Sequence, residues 1–321
     1  MNWFWFAVLA LLCWSGSDLF SKIGCSDAKD KRAHLRMVVA VGVIMGLHAA
    51  YEIFIGGVEI NMQVILAYLP VSALYILSMV LGYVGLRYIE LSISSPICNS
   101  SGALVAVLCL VMGMTEALNG FQIAAIICVC IGVIGLGIVE FTEDEELRSL
   151  RQEKANRKYA KSWLALTLPV AYCLLDALGS FADSVVLADL SDPETVIPTY
   201  LKGFAKGLNE DSANVAYELT FLAAGIVCLI YLLIKRDVQK PKKAAPRFIG
   251  GIFETAGQFA YIYALSDTQH VALSAPIISA YCVASVVWSR IFLKEKLSWK
   301  HYLMIGIAAV GIVVIGLFDE L

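Results

Sequence analysis

The chain has 321 residues, of which 59% are hydrophobic and 16% are charged, and its formal net charge at pH 7 is −3. A soluble globular domain has about 25% charged residues, so this composition excludes an ordinary soluble protein. The lysines and arginines also avoid the long apolar runs that make up most of the sequence.

Ten apolar runs follow one another along the chain, and each is long enough to cross about 30 Å of hydrocarbon as a helix. They cover residues 3–21, 37–55, 64–86, 91–112, 121–141, 163–187, 213–234, 248–265, 271–289 and 302–317. Barrel strands would alternate apolar and polar residues, and these runs do not. The sequence therefore predicts an all-α, polytopic membrane protein with ten transmembrane helices, whose loops are too short for a separate soluble domain.

The basic residues predict how these spans are oriented. Of the 24 lysines and arginines, 22 lie between spans 1 and 2, 3 and 4, 5 and 6, 7 and 8, or 9 and 10. The remaining loops and the termini hold only Lys202 and Lys206. Because cytoplasmic loops are enriched in basic residues, we expect a protein of the cytoplasmic membrane with both termini outside the cytoplasm.

An internal repeat relates the two halves of the sequence. "YVGLRYIELSISSPI" at 83–97 aligns with "YALSDTQHVALSAPI" at 263–277. We expect a five-helix repeat over 1–141, a charged cytoplasmic connector over 142–161 and a second five-helix repeat over 162–321. An odd number of spans in each half inverts the second half. Inverted repeats of this kind are a transporter architecture, with the substrate site near the midplane between the halves.

Several motifs resemble those of a known family. The fourth span of each half contains "SISSPI" or "ALSAPI", the turns before the fifth spans contain "MTEALNGFQ" and "FLKEKLSWKH", and the first span contains "LLCWSGSDLFSKIG". Together they resemble the drug/metabolite transporter superfamily, in particular its EamA-like ten-helix branch, over about residues 3–317. The resemblance implies a secondary transporter rather than an enzyme. Many relatives are described with cytoplasmic termini, whereas the charges here predict the opposite orientation.

Acidic residues inside the spans are the first candidates for a binding site, because such groups are costly in a bilayer and usually line a cavity. Asp176 lies near the middle of span 6, and Glu254 and Gln258 lie one turn apart in span 8. Asp18 lies in span 1, where it could instead pair with Lys22 one turn further on. The span centres contain no basic residue, which favours a cation, an amine or a coupling proton over an anion. A structural role for Asp176 and Glu254 as protonated, hydrogen-bonded acids stays open.

For the other acids near the ends of the spans we expect interfacial or structural roles. Glu52, Asp183 and Glu218 lie toward the outer ends of their spans, where we expect solvated interfacial carboxylates. Glu116 and Glu295 lie at helix starts, where the N-terminal dipole stabilises a carboxylate.

Aromatic and polar residues complete the predicted substrate site. The rings of Trp14, Tyr75, Tyr172, Tyr261 and Tyr281 could hold an organic cation on their π faces, although each could equally be a packing residue. The polar side chains of Asn99 and Ser279 follow Pro96 and Pro276, where a missing backbone donor can break or bend the helix near a cavity.

The leading interpretation is secondary transport of a small metabolite, amine-containing or cationic, by alternating access, with a proton as the candidate coupling ion. The alternative is a membrane-embedded enzyme acting on a lipid or isoprenoid substrate; a channel is a weaker rival. No ATP-binding motif or metal-site motif is present, so no cofactor and no metal are expected. The expected partners are the small-molecule substrate, the lipid bilayer and the proton, with no nucleic acid. Spaced glycines in spans 2, 5 and 10 indicate close helix contacts within the fold or in a homodimer.

Overall fold

A computed structural model describes residues 2–25, 30–88, 91–114, 118–142, 164–192, 195–237, 241–294 and 297–317. These residues form helices and connections without any strand, as the sequence predicted. The α-helices are α1 (Trp3–Cys25), α2 (Ala33–Tyr51), α3 (Met62–Tyr88), α4 (Leu91–Cys98), α5 (Ser101–Met112), α6 (Gly120–Thr142), α7 (Leu164–Leu187), α8 (Glu210–Ile234), α9 (Pro241–Ser266), α10 (Val271–Ser279), α11 (Tyr281–Trp288) and α12 (Trp299–Leu317). Short π-helical turns over Glu52–Gly56 and Ser289–Leu293 extend α2 and α11.

Most of these helices are suited to a bilayer. In the described part of the chain, nine helical segments are long and apolar enough to span a membrane, counting α4 with α5 and α10 with α11 as one segment each. The remaining predicted span is α9, which has 26 residues. Its first turns contain Lys242, Lys243 and Arg247, and these charges lower its mean hydropathy. The helix begins seven residues before the apolar run at 248–265, because it continues through the charged residues back to Pro241.

Spans 4 and 9 are each broken in the middle, as their prolines led us to expect. The first break lies at Asn99 and Ser100, after Pro96, and the second lies at Ala280, after Pro276. Both breaks stay nearly helical. The backbone amide of Asn99 donates to the backbone carbonyl of Ser95 at 2.9 Å, and the backbone amide of Ala280 donates to the backbone carbonyl of Pro276 at 3.0 Å.

The helices of the two halves pack in an exchanged pattern. Helix α1 packs on α9, and α7, its expected equivalent, packs on α3. The pairs α2–α8, α6–α12, α5–α10 and α4–α11 each join one half to the other. Two related halves would produce this exchange, which supports the predicted repeat. The boundaries of the halves stay a prediction, and the connector after Thr142 lies outside the described residues.

Two of the spaced glycines, in spans 2 and 5, show how closely the helices approach inside the fold. A Cβ atom at Gly42 of α2 would be 2.9 Å from the carbonyl oxygen of Phe221 in α8. A Cβ atom at Gly132 of α6 would be 2.5 Å from the Cβ of Ala308 in α12. These positions need glycine because the two backbones approach too closely for any side chain.

Ion pairs join several helices at one end of the bundle, which we call the basic end. Arg36 pairs with Asp30 and with Asp237, and Arg32 pairs with Asp237 at 2.8 Å. Arg247 pairs with Asp30 at 3.3 Å. The hydrogen bond from Arg32, followed by the nearby charge of Arg36, lowers the pKa of Asp237. These contacts tie the connection before α2 to the end of α8 and the start of α9.

The opposite end, which we call the acidic end, is joined by hydrogen bonds. Tyr263, near the end of α9, donates to Asp211 at the start of α8 at 2.5 Å. Tyr200 in the connection after α7 donates to the carbonyl of Met112 at 2.8 Å. The predicted topology places the basic end in the cytoplasm and the acidic end outside.

Candidate functional site

A cavity of about 70 Å³ lies inside the bundle, between helices of both halves. All the residues predicted for the substrate site line it, although their role in binding stays a prediction. They are Trp14, Asp18, Tyr75, Asn99, Tyr172, Asp176, Glu254, Gln258, Tyr261, Ser279 and Tyr281.

Two of the lining acids each accept a hydrogen bond from a serine. Ser17 donates to Oε2 of Glu254 at 2.7 Å, and Ser101 donates to Oδ2 of Asp176 at 2.7 Å. Hydroxyl donors stabilise a carboxylate in a site of low dielectric without neutralising it. These carboxyl groups therefore remain able to attract a cation.

Asp18 lies at the centre of a larger network. Its Oδ2 atom accepts hydrogen bonds from Ser95 at 2.5 Å and from Ser285 at 2.8 Å. The side-chain amide of Asn99 in turn donates to the Ser95 hydroxyl at 3.0 Å. The break in span 4, where Asn99 lies, therefore helps to orient the Asp18 carboxyl group. Lys22, the sequence's candidate ion-pair partner, donates to the backbone carbonyl of Leu86 at 3.0 Å.

The acids of the two halves are held in related ways. Asp18 belongs to α1, the first helix of the first half, and accepts from Ser285 in the broken span of the second half. Asp176 belongs to α7, the first helix of the second half, and accepts from Ser101 in the broken span of the first half. Each acid thus bridges the two halves. A relative movement of the halves would change both carboxyl environments together.

Aromatic rings form a second part of the cavity wall. The Trp14 ring lies with its centroid 4.8 Å from Tyr261 and 5.7 Å from Tyr281. The centroids of Tyr75 and Tyr261 lie 5.8 Å apart, with the rings nearly perpendicular. Rings arranged in this way present π faces and edges around one space, where a cation can bind to a face.

Four lining side chains have buried polar atoms that lack a hydrogen-bond partner among the described residues. They are Nε1 of Trp14, the hydroxyls of Ser21 and Tyr83, and Nε2 of Gln258, whose residue is 2% exposed. Buried polar atoms are nearly always paired, so an unpaired atom on a cavity wall is available to a ligand or a water molecule.

Two other aromatic or polar side chains of the spans lie outside the cavity lining. Trp288 donates through its indole nitrogen to Ser15 at 3.0 Å, and the hydroxyl of Thr255 donates to the backbone of its own helix. Conversely, Tyr217 lines the cavity although its sequence context gave no signal. It lies on the buried face of α8, which the sequence does not distinguish from the other faces.

The expectation that Asp183 and Glu218 are solvated was wrong. Both are fully buried. Asp183 accepts hydrogen bonds from Tyr68 at 2.7 Å and from Tyr75 at 3.4 Å. Glu218 lies 2.8 Å from Nδ1 of His48. Neither acid lines the cavity, but Asp183 is hydrogen-bonded to Tyr75, which does.

The lining is acidic. It contains Asp18, Asp176 and Glu254, and among its described residues there is no lysine, arginine or histidine. An ammonium group would be attracted to this cavity and an anion repelled. In the described part of the chain, no three His, Cys, Asp or Glu residues are grouped closely enough to hold a metal ion.

Comparison with protein families identifies the second half of the bundle. Residues 204–317 match the model of the EamA-like transporter family. Over these residues the chain is similar to that family. The match confirms the resemblance to the drug/metabolite transporter superfamily, of which the EamA-like family is a part.

The EamA-like region covers α8 to α12 and supplies five of the predicted site residues: Glu254, Gln258, Tyr261, Ser279 and Tyr281. A comparison with curated protein sequences finds no match. Twenty-eight chains of solved structures are similar. One, described only as the crystal structure of a protein, has a TM-score of 0.66 and 12% identity over 98% of each chain. At this identity the likeness shows that the whole chain shares that fold.

Proposed function

We propose that this protein is a secondary transporter that moves a small amine-containing or cationic metabolite across the cytoplasmic membrane by alternating access. Its family consists of membrane transporters of the drug/metabolite type rather than enzymes. The substrate class, the mechanism and the coupling to protons are the parts that we propose.

The acidic cavity carries the proposal. Three carboxyl groups and several aromatic rings surround one space inside the bundle, and the described lining supplies no basic side chain to neutralise them. Carboxylates inside a membrane protein are costly unless they are paired or face a functional cavity. An ammonium group bound among them would provide the missing countercharge, and its alkyl part would pack against the rings.

The size of the cavity supports a transport cycle with more than one conformation. A volume of about 70 Å³ accommodates a few water molecules, but not a metabolite with its hydration shell. Substrate entry therefore requires the helices to rearrange. When the cation leaves, uncompensated carboxylates would remain inside the bundle, and binding of a proton would remove this cost. Exchange of a cation for a proton follows from this requirement.

The purified protein in liposomes tests the substrate class. We expect saturable uptake of a primary amine, and no uptake of a carboxylic acid of similar size and shape. An outward-directed proton gradient should accelerate the uptake, and a protonophore should abolish that acceleration. Uptake of the acid but not the amine would contradict the proposal. Chemical conversion of a lipid without any flux would favour the enzyme alternative.

The proposed orientation in the cytoplasmic membrane has a separate test. It rests on the 22 to 2 division of basic residues between the two sets of loops. We expect a C-terminal alkaline phosphatase fusion to be active and a C-terminal green fluorescent protein fusion to be dark. The reverse pattern would overturn this orientation.

A further inference from the structure

We propose that Asp183 is a positioning residue for the transport cycle, which closes the acidic end of the cavity by holding Tyr75 against Tyr261. The proposal rests on the transport function proposed above. Asp183 contacts no substrate in this scheme, because it acts through Tyr75.

Both hydrogen-bond partners of Asp183 belong to a single helix. Its two carboxyl oxygens accept from Tyr68 at 2.7 Å and from Tyr75 at 3.4 Å, and both tyrosines belong to α3. They are seven positions apart, which places them two turns apart on one face of that helix. One fully buried carboxyl group on α7 thus fixes two turns of α3.

The network continues from Tyr75 to the cavity. The hydroxyl of Tyr75 is hydrogen-bonded to that of Tyr261 on α9. Tyr75 and Tyr261 line the cavity, whereas Tyr68 and Asp183 do not. The carboxyl group therefore lies behind the aromatic wall and supports it. Trp14 packs on Tyr261, and Tyr217 packs on Tyr75 with ring centroids 6.0 Å apart, so this wall joins four helices.

The aromatic wall lies toward the acidic end of the bundle. Tyr68 is within about two turns of the start of α3, and Asp183 and Tyr261 are within about two turns of the ends of α7 and α9. Asp18, Ser21 and Leu86 line the cavity nearer the basic end. The Tyr75–Tyr261 pair is thus placed between the acidic cavity and the acidic end of the protein.

The network also connects the two halves. It joins α3 of the first half to α7 and α9 of the second half. Alternating access requires the halves to separate at one end and then at the other. Separation of the halves at the acidic end must therefore break the hydrogen bonds that join Tyr68 and Tyr75 to Asp183 and Tyr261.

A thiol reporter tests this role without requiring transport. Cys98 lines the cavity, so it can be kept as the only cysteine after replacement of the other eight. A membrane-impermeant maleimide is applied from each side of the membrane in separate vesicle samples without substrate. The rate of Cys98 modification from the acidic end reports how often that end is open.

The variants Asp183→Asn and Tyr68→Phe weaken the network with little change of shape. The matched control is Tyr302→Phe, which also removes a phenolic hydroxyl but from an exposed ring outside the cavity lining. We expect modification from the acidic end to become about tenfold faster in Asp183→Asn, since a hydrogen bond to a charged group is lost. Tyr68→Phe should show a smaller increase, and Tyr302→Phe should equal the parent.

Equal modification rates in Asp183→Asn, Tyr68→Phe and the control would overturn the proposal. If Asp183→Asn does not fold, the comparison of Tyr68→Phe with Tyr302→Phe decides, and equal rates again overturn the proposal. Faster modification without any amine uptake in liposomes would support the gating role and contradict the substrate class. The two proposals therefore fail in distinguishable ways.

Discussion

Replacement of Gly257 by alanine should disturb the aromatic wall from behind. Gly257 lies on the buried face of α9, next to the Trp14 ring. A Cβ atom there would be 2.4 Å from Cδ1 and 2.7 Å from Nε1 of Trp14. Non-bonded carbon atoms pack at about 3.5–4.0 Å, so the indole must move by about 1 Å.

The size of the effect follows from what Trp14 contacts. Its ring is 4.8 Å from Tyr261, and both rings face the cavity. Disturbing an aromatic contact or a cation–π contact costs about 1 kcal/mol, which corresponds to about a fivefold weaker apparent affinity. Overpacking should also lower the stability of the protein by about 1–3 kcal/mol.

The assay is the concentration dependence of amine uptake in proteoliposomes. We expect Gly257→Ala to raise the apparent KM about fivefold or more and to unfold at a lower temperature. Gly306→Ala is the matched control, because a Cβ atom there meets nothing within 4 Å. If both variants show the wild-type KM, then Trp14 does not form part of the substrate site.

Three further predictions concern the fold. Gly132→Ala places a Cβ atom 2.8 Å from the carbonyl oxygen of Met304 as well as against Ala308, so we expect a loss of about 1–3 kcal/mol in thermal unfolding, compared with none for Gly306→Ala. His48→Leu leaves the buried Glu218 without its partner and should cost about 3–5 kcal/mol; a second change, Glu218→Gln, should recover much of this loss, and no recovery would contradict the pairing. The lowered pKa of Asp237 means that its ion pairs stabilise the fold above the unfolded-state pKa of about 4 and lose this effect as the pH falls through the lower folded-state value. Wild-type protein should therefore lose more stability than Asp237→Asn on acidification below about pH 4, and parallel unfolding profiles would refute this.

The sequence was sufficient for most of the fold because the bilayer restricts the possible structures. Length and hydropathy alone locate the spans, and the prolines at 96 and 276 indicate the two broken ones. Helix α9 also includes Arg247, which lies just before the apolar run at 248–265. In the structure Arg247 is 3% exposed, donates to the carbonyl of Gly24 at 2.9 Å and pairs with Asp30. These partners are distant in sequence, so hydropathy cannot reveal them.

The same reasoning explains which acids could be recognised. Asp176 and Glu254 are near span centres, where any carboxyl group is unusual, so position alone identifies them. Asp183 and Glu218 lie nearer the span ends, where a carboxylate is usually solvated. Their burial depends on Tyr68 and His48, which are 115 and 170 positions away in the chain. Only the packing of α3 on α7 and of α2 on α8 creates these contacts.

Amine uptake by liposomes containing Asp176→Asn or Glu254→Gln tests the central claim most directly. Each change removes a charge from the cavity with little change of shape, and Glu59→Gln removes an exposed carboxyl group outside it as a control. We predict that Glu59→Gln transports normally, while at least one cavity variant folds normally but loses uptake or its dependence on pH. Wild-type uptake with unchanged pH dependence in both cavity variants would contradict the account and would leave these acids with a structural role.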